Sequence, residues 1–199
     1  MREGEQEYWD GVADQVVRPD GGIYDNWLKR RFIGQFLLKC EWTGQKVLEI
    51  GVGCGASAAL LSFSCGNQWS YIGTDVSLKF AKAAGRFGLK VIQADVLSLP
   101  EGEFTRIVAL DSLEHVHPLD RDKGYEEIAK RLAKGGLLLI NLPVDVSSHD
   151  EKFDHGIGLQ DLLSLEEKGL ILQKYERYSI HYEKYLRNYA FAVMTRLED

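Results

Sequence analysis

Apolar and polar positions along this chain change period several times, and the changes mark out its elements. From Glu5 to Cys40 the pattern is helical, in two pieces. The run Arg18-Pro19-Asp20-Gly21-Gly22 separates them, because proline and paired glycine punctuate a helix. In the second piece Trp27, Leu28, Phe32, Ile33, Phe36 and Leu37 recur near helical spacing. After residue 45 short apolar runs alternate with helical stretches. Strands are predicted at Lys46–Ile50, Trp69–Thr74, Lys90–Ala94, Arg106–Leu110 and Leu137–Leu142. The last of these is almost unbroken in apolar residues, as a strand covered on both faces is. Helices are predicted from Ala56 to Phe63, from the N-cap Ser77 to Phe87, from Asp122 to Ala133 and from Leu159 to Glu167. Two further strands, Leu170–Ser179 and Tyr189–Arg196, close the chain around a Tyr-rich segment. Strand and helix in turn give an α/β fold with a mainly parallel sheet.

The chain has 199 residues, enough for one domain with a full core. No repeat or Pro/Gly/Ser linker divides it, so residues 1–199 are expected to form a single domain. Residues 1–44 are expected to form a helical N-terminal lid and residues 45–199 the core. The net charge of -6 argues against a nucleic-acid partner, which favours a basic face. Lys29, Arg30 and Arg31 form one short basic cluster, read as a solvated helix end. Three cysteines without metal-like spacing suit a reduced, cytoplasmic protein. No apolar run has the length that spans a bilayer, and the N-terminus does not read as a signal peptide, so no membrane partner is expected.

The chemistry concentrates at strand ends. Val47-Leu48-Glu49-Ile50 runs into Gly51-Val52-Gly53-Cys54-Gly55, a turn without Cβ atoms that lets a ligand approach the backbone. A helix start follows, with unpaired N–H groups. Cys54 is read as packing within this turn. Later strands end in Asp75, Asp95 and Asp111, at the sheet edge where such folds bind ligands. Gly51 to Ala56 also fits the dinucleotide fingerprint, with Asp75 about twenty residues beyond it, so an NAD-dependent oxidoreductase is an alternative. Against it stand Glu49, Asp95, Asp111 and the lack of room for a substrate domain.

From residue 45 to 197 the chain resembles the class I S-adenosylmethionine-dependent methyltransferases. The resemblance rests on Glu49-Ile50-Gly51-Val52-Gly53-Cys54-Gly55, on Asp75 and Asp95, on Asp111-Ser112-Leu113-Glu114-His115-Val116, and on Leu132-Ala133-Lys134-Gly135-Gly136. It implies a Rossmann-like seven-stranded sheet with a C-terminal antiparallel hairpin and helices on both faces. It implies that Glu49, Gly51, Gly53 and Gly55 hold the methionine part of S-adenosyl-L-methionine. Asp75 would take the ribose diol, Val76 and Val96 flank the adenine, and Asp95 accept from its amino group. Asp111 and Ser112 would border the methyl group. S-adenosyl-L-homocysteine is the expected product.

A hydroxyl or ammonium acceptor must lose a proton, and His115 is the candidate base; its alternative is to cap or pack beside the following helix. His117 is read as a loop residue. Asp111, Glu114 and His115 also resemble a divalent-metal site of some O-methyltransferases, with His149 or His155 as an extra ligand; no metal is assigned here, because Asp111 is short for that pattern. Tyr8, Trp9, Tyr24 and Trp27 are candidates to close over the cofactor, and Val144–Gly158 to form a far wall. Tyr178, Tyr182, Tyr185 and Tyr189 form an aromatic group, read mainly as packing. The acceptor expected first is a hydroxyl of a small molecule or glycan, then an amine. A non-catalytic S-adenosylmethionine-binding sensor would use the same cofactor residues.

Overall fold

Seven strands form one sheet in the order β3-β2-β1-β4-β5-β7-β6 in a computed structural model of the chain. They are β1 (Lys46–Ile50), β2 (Ser70–Asp75), β3 (Val91–Gln93), β4 (Phe104–Leu110), β5 (Leu132–Pro143), β6 (Leu170–His181) and β7 (Leu186–Arg196). The structure describes residues 1–17, 33–65, 68–144, 155–181 and 186–197. The basic cluster, the Arg18–Gly22 break, Tyr24, Trp27, His149, Tyr182 and Tyr185 lie outside them. The chain divides into two compact units, Met1–Asp95 and Val96–Asp199.

In the first unit β1 pairs parallel with β2, and β2 with β3. Val47 and Leu48 are fully buried and Ile50 nearly so, so β1 is a core strand. Helix α1 (Glu5–Val16) carries Trp9, Val12 and Val16 onto a cluster of Ala13, Cys54 and Phe80. Residues 33–37 form α2, which buries Ile33 and Leu37. Helix α3 (Ala56–Cys65) follows the glycine turn, and α4 (Leu78–Gly85) follows β2. The predicted Ser77 cap is present: its hydroxyl accepts from the Phe80 N–H at 3.1 Å.

In the second unit β4 pairs parallel with β5, and β7 runs antiparallel between β5 and β6. Leu138, Leu139, Ile140 and Leu142 are fully buried, as their almost unbroken apolar run predicts. Helix α5 (Pro118–Arg131) begins four residues earlier than the sequence suggests. Pro118 occupies its first turn, where a missing N–H costs nothing, and His117 Nδ1 caps it by accepting from the Leu119 N–H at 3.2 Å. The helix also stops at Arg131, before Lys134-Gly135-Gly136. Those residues lie inside the span of β5, where the register against β4 jumps between Phe104 and Arg106. Helix α6 (Leu159–Leu163) passes into a 3-10 turn, Ser164–Lys168, which leads to β6.

Candidate functional site

The first unit presents a glycine turn held by carboxylates. Gly51, Gly53 and Gly55 have φ of 69°, 52° and 80°, a region that L side chains avoid. The N–H groups of Gly51 and Val52 both donate to the Thr74 carbonyl at 2.9 Å, binding the turn to the end of β2. Asp75 Oδ2 accepts from the Gly53 N–H at 2.8 Å, and its Oδ1 from the Ser77 N–H at 2.9 Å. One carboxylate therefore joins the turn to the start of α4. Asp75 is 6% exposed.

Glu49 is buried on β1 and accepts from the Tyr71 hydroxyl at 2.7 Å. Burial, and then the Glu49 charge beside it, push the Tyr71 hydroxyl well above the usual phenol range. Asp10 of α1 accepts from the Ser77 hydroxyl at 2.5 Å and from the Lys79 N–H at 3.1 Å. The N-terminal helix is thereby fixed to the residue that follows the Asp75 turn by two. Trp9 packs against the cluster that contains Cys54, and its ring lies edge-on to Tyr8 at 5.0 Å. Asp95 holds the terminal ammonium of Met1. Val76 is half-buried.

The second unit contributes the segment after β4. Asp111 is the non-glycine residue with positive φ, 51°, among the described residues. Aspartate is one of the few side chains that visits this region readily, and it tends to do so at functional turns. Its N–H donates to the Asn141 carbonyl at 2.8 Å, and its Oδ1 accepts from Asn141 Nδ2 at 2.7 Å. Ser112 Oγ is buried without a hydrogen-bond partner. His115 closes a 3-10 turn, Leu113–His115, and its Nε2 stands 3.9 Å from Oε1 of buried Glu114. The α5 cap is thus His117, while His115 remains 19% exposed at its side chain. Val96 is buried, its methyl groups occupying the space a Cβ on Gly124 would need.

Around this segment Arg121 ties the chain together. It donates to the Val116 carbonyl at 3.1 Å, the Gly156 carbonyl at 2.6 Å and Asp161 at 3.1 Å. The His155 N–H donates to the Glu114 carbonyl at 3.0 Å, and its ring meets His117 edge-on at 5.0 Å. Tyr125 is buried with its hydroxyl unpartnered, and burial pushes that hydroxyl up to about 12. Among the described residues no three His, Cys, Asp or Glu side chains are grouped to hold a metal ion. None of their helices is long and apolar enough to cross a membrane.

Comparison with known proteins fits this architecture. Residues 47–136 match a family model described as a methyltransferase domain. SpnF, a cyclase, is similar at 18% identity over 98% of this chain and 95% of its own, with a TM-score of 0.78. The N-methyltransferase NodS from Bradyrhizobium japonicum, in complex with S-adenosyl-L-homocysteine, is 18% identical over 96% of this chain and all of its own, with a TM-score of 0.74. Phosphoethanolamine N-methyltransferase 2 from Haemonchus contortus, in complex with S-adenosyl-L-methionine, is 15% identical; the match covers 98% of this chain and 59% of that one, with a TM-score of 0.70. No curated protein matches the sequence significantly. Likeness at these identities shows the fold alone. The family match spans a little under half of the chain, so what it shows is a methyltransferase-domain segment at residues 47–136, carried on the fold of these neighbours. The sheet argues against the dinucleotide alternative: antiparallel β7 between β5 and β6 departs from the parallel dinucleotide-binding order.

The residues present fit the cofactor. At Gly53 the turn leaves backbone open to a ligand, since a Cβ there would meet nothing within 4 Å. Ser112 Oγ lacks the partner that a buried hydroxyl requires. Sequence reasoning missed Asn141, Tyr71 and Asp10. The signal for Asn141 was present, as the polar residue interrupting an apolar strand.

Proposed function

We propose that this protein methylates a hydroxyl of a small molecule or glycan. The observation that carries the reading is His115, partly exposed, backed by buried Glu114 at 3.9 Å and placed just after the strained Asp111. A neutral hydroxyl is a poor nucleophile until its proton is taken. An imidazole is the side chain suited to receive that proton. The cofactor supplies an electrophilic methyl group on a cationic sulfur, and the sulfur keeps the electron pair of the broken bond. In this reading Glu49, the turn glycines, Asp75, Val76, Asp95 and Val96 bind it, while Asp111 and Ser112 face its methyl side. Positioning of the acceptor lone pair provides much of the rate. A reducing, cytoplasmic setting is part of this reading, on the ground that the three cysteines have no metal-like spacing.

An amine acceptor is the second reading. It is favoured by two fold neighbours whose names make them N-methyltransferases. The experiment is transfer of labelled methyl from S-adenosyl-L-methionine into a panel of small alcohols, sugars and amines. Product on oxygen is expected, with His115→Ala slowing transfer by about 10²- to 10⁴-fold. Labelling only on nitrogen, or full activity in His115→Ala, would overturn the assignment.

A further inference from the structure

A chain of three polar groups crosses the sheet of the second unit and ends on Asp111. The Tyr178 hydroxyl on β6 donates to Asn141 Oδ1 on β5 at 2.6 Å, and Asn141 Nδ2 donates to Asp111 Oδ1 at 2.7 Å. Strand β7 lies between β5 and β6, so the gap is about two strand spacings, roughly 10 Å. Tyr178 crosses it by stacking its ring on Tyr189 of β7, at 5.5 Å between centroids and 18° between planes. The polarity of the chain is fixed. A carboxylate only accepts, so the Asn141 amide must turn its NH2 to Asp111 and its oxygen to the tyrosine.

Packing alone does not account for this arrangement. Asn141 is fully buried, and its neighbours along β5, Ile140 and Leu142, are apolar and equally buried. An aliphatic residue there would avoid the cost of burying an amide. The backbone of the same asparagine also holds the Asp111 N–H, at the one described non-glycine residue with positive φ. Every bond in the chain works toward the direction and charge of one carboxylate.

We propose that Tyr178 and Asn141 are positioning residues, which act through Asp111 to keep a fixed negative charge on the methyl side of the cofactor. The inference rests on the methyltransferase reading above. Its chemical content is recognition of charge. S-adenosyl-L-methionine is cationic at sulfur and S-adenosyl-L-homocysteine is not, so a carboxylate held in place discriminates substrate from product. A fixed charge also needs no reorganisation as positive charge moves from sulfur to acceptor.

Calorimetry with both ligands tests this without knowledge of the acceptor. Tyr178→Phe keeps the stacked ring and removes only the hydroxyl. It is expected to leave S-adenosyl-L-homocysteine affinity within about twofold while weakening S-adenosyl-L-methionine about three- to tenfold, a scale typical of a weakened charge contact. Asn141→Ala, which severs the chain one bond closer, and Asp111→Asn should lower the same affinity ratio. In the Tyr178→Phe/Asp111→Asn double variant the ratio should fall no further than in Asp111→Asn, because one residue acts through the other. An unchanged ratio in Tyr178→Phe, equal weakening of both ligands, or multiplying effects in the double variant would each overturn the proposal. Failure of the unmodified protein to bind S-adenosyl-L-homocysteine would instead overturn the cofactor reading beneath it.

Discussion

Asp75 is the residue at which the fold and the proposed cofactor binding are most tightly joined, and Asp75→Asn separates the two. The carboxylate accepts one N–H from Gly53 and one from Ser77, at 2.8 and 2.9 Å, while 6% exposed. An asparagine has the same shape but turns one acceptor into a donor. One of the two N–H groups then faces another N–H and loses its bond, and the other keeps a neutral acceptor in place of a charged one. Losing a charge-assisted bond costs about 2 kcal/mol and neutralising the second about 1, giving about 3 kcal/mol. For a chain of this size that lowers Tm by roughly 6–12 °C. The binding loss is separate. A ribose diol offers two donors, and the remaining amide oxygen is already engaged, so about 2–3 kcal/mol of binding is lost. That corresponds to a roughly 30- to 150-fold rise in Kd for S-adenosyl-L-homocysteine. Thermal denaturation and calorimetry on the same preparation measure both. If Tm falls as expected while Kd stays within about threefold, Asp75 ties the loop and does not hold the ribose, and the reasoning fails.

Three further predictions follow from neighbouring contacts. Gly55→Ala places a Cβ 3.1 Å from both the Ala84 Cβ and Leu89, at a φ of 80°; strain and overpacking together should cost about 2–4 kcal/mol, and an unchanged Tm would refute the tight approach. Tyr71→Phe removes the hydroxyl donor to buried Glu49 and should lower stability by about 1–3 kcal/mol in denaturant titration, with the midpoint rather than the slope moving. For Asp10, burial works against ionisation, but hydrogen bonds from the Ser77 hydroxyl and the Lys79 N–H outweigh it and hold the carboxyl below its ordinary value of 3.8. Its contribution is therefore complete above that value and disappears as pH falls through the lowered one. The Tm difference between the unmodified protein and Asp10→Asn should close over that acid range, and a gap independent of pH would contradict the linkage.

Much of this site was legible because its chemistry is local in sequence. Three glycines with an acid before them predict a turn, and the Ser77 cap and the buried Leu137–Leu142 run follow from composition alone. What stayed hidden joins residues distant in the chain. Tyr178 and Asn141 meet only because β7 folds back between β5 and β6, which no spacing announces. The Asp10 contact to Ser77 likewise depends on where α1 docks. The boundaries of α5 went astray for a different reason. Lys134-Gly135-Gly136 is a sound stop signal, but the chain leaves the helix at Arg131 and spends those residues on a register shift within β5. The proline and histidine that start the helix at 118 read as loop because His117 caps through its ring, an uncommon use of that side chain.

Three acids of the first unit serve as acceptors before any ligand arrives. Asp75 takes two backbone N–H groups, Glu49 takes the Tyr71 hydroxyl, and Asp10 takes Ser77 and Lys79. This has a physical purpose. A turn with glycines at positions 51, 53 and 55 loses more conformational entropy on ordering than any other sequence would. Left to itself it would lose that freedom on binding, at the expense of affinity. The carboxylates move the cost to folding, through Asp75 to Gly53 directly and through Ser77 and Asp10 to the helix that packs on Cys54. The same wiring means that a substitution at any of these acids shifts stability and affinity together. A loss of cofactor binding in such a variant identifies a ligand contact only when it exceeds what the accompanying loss of stability accounts for.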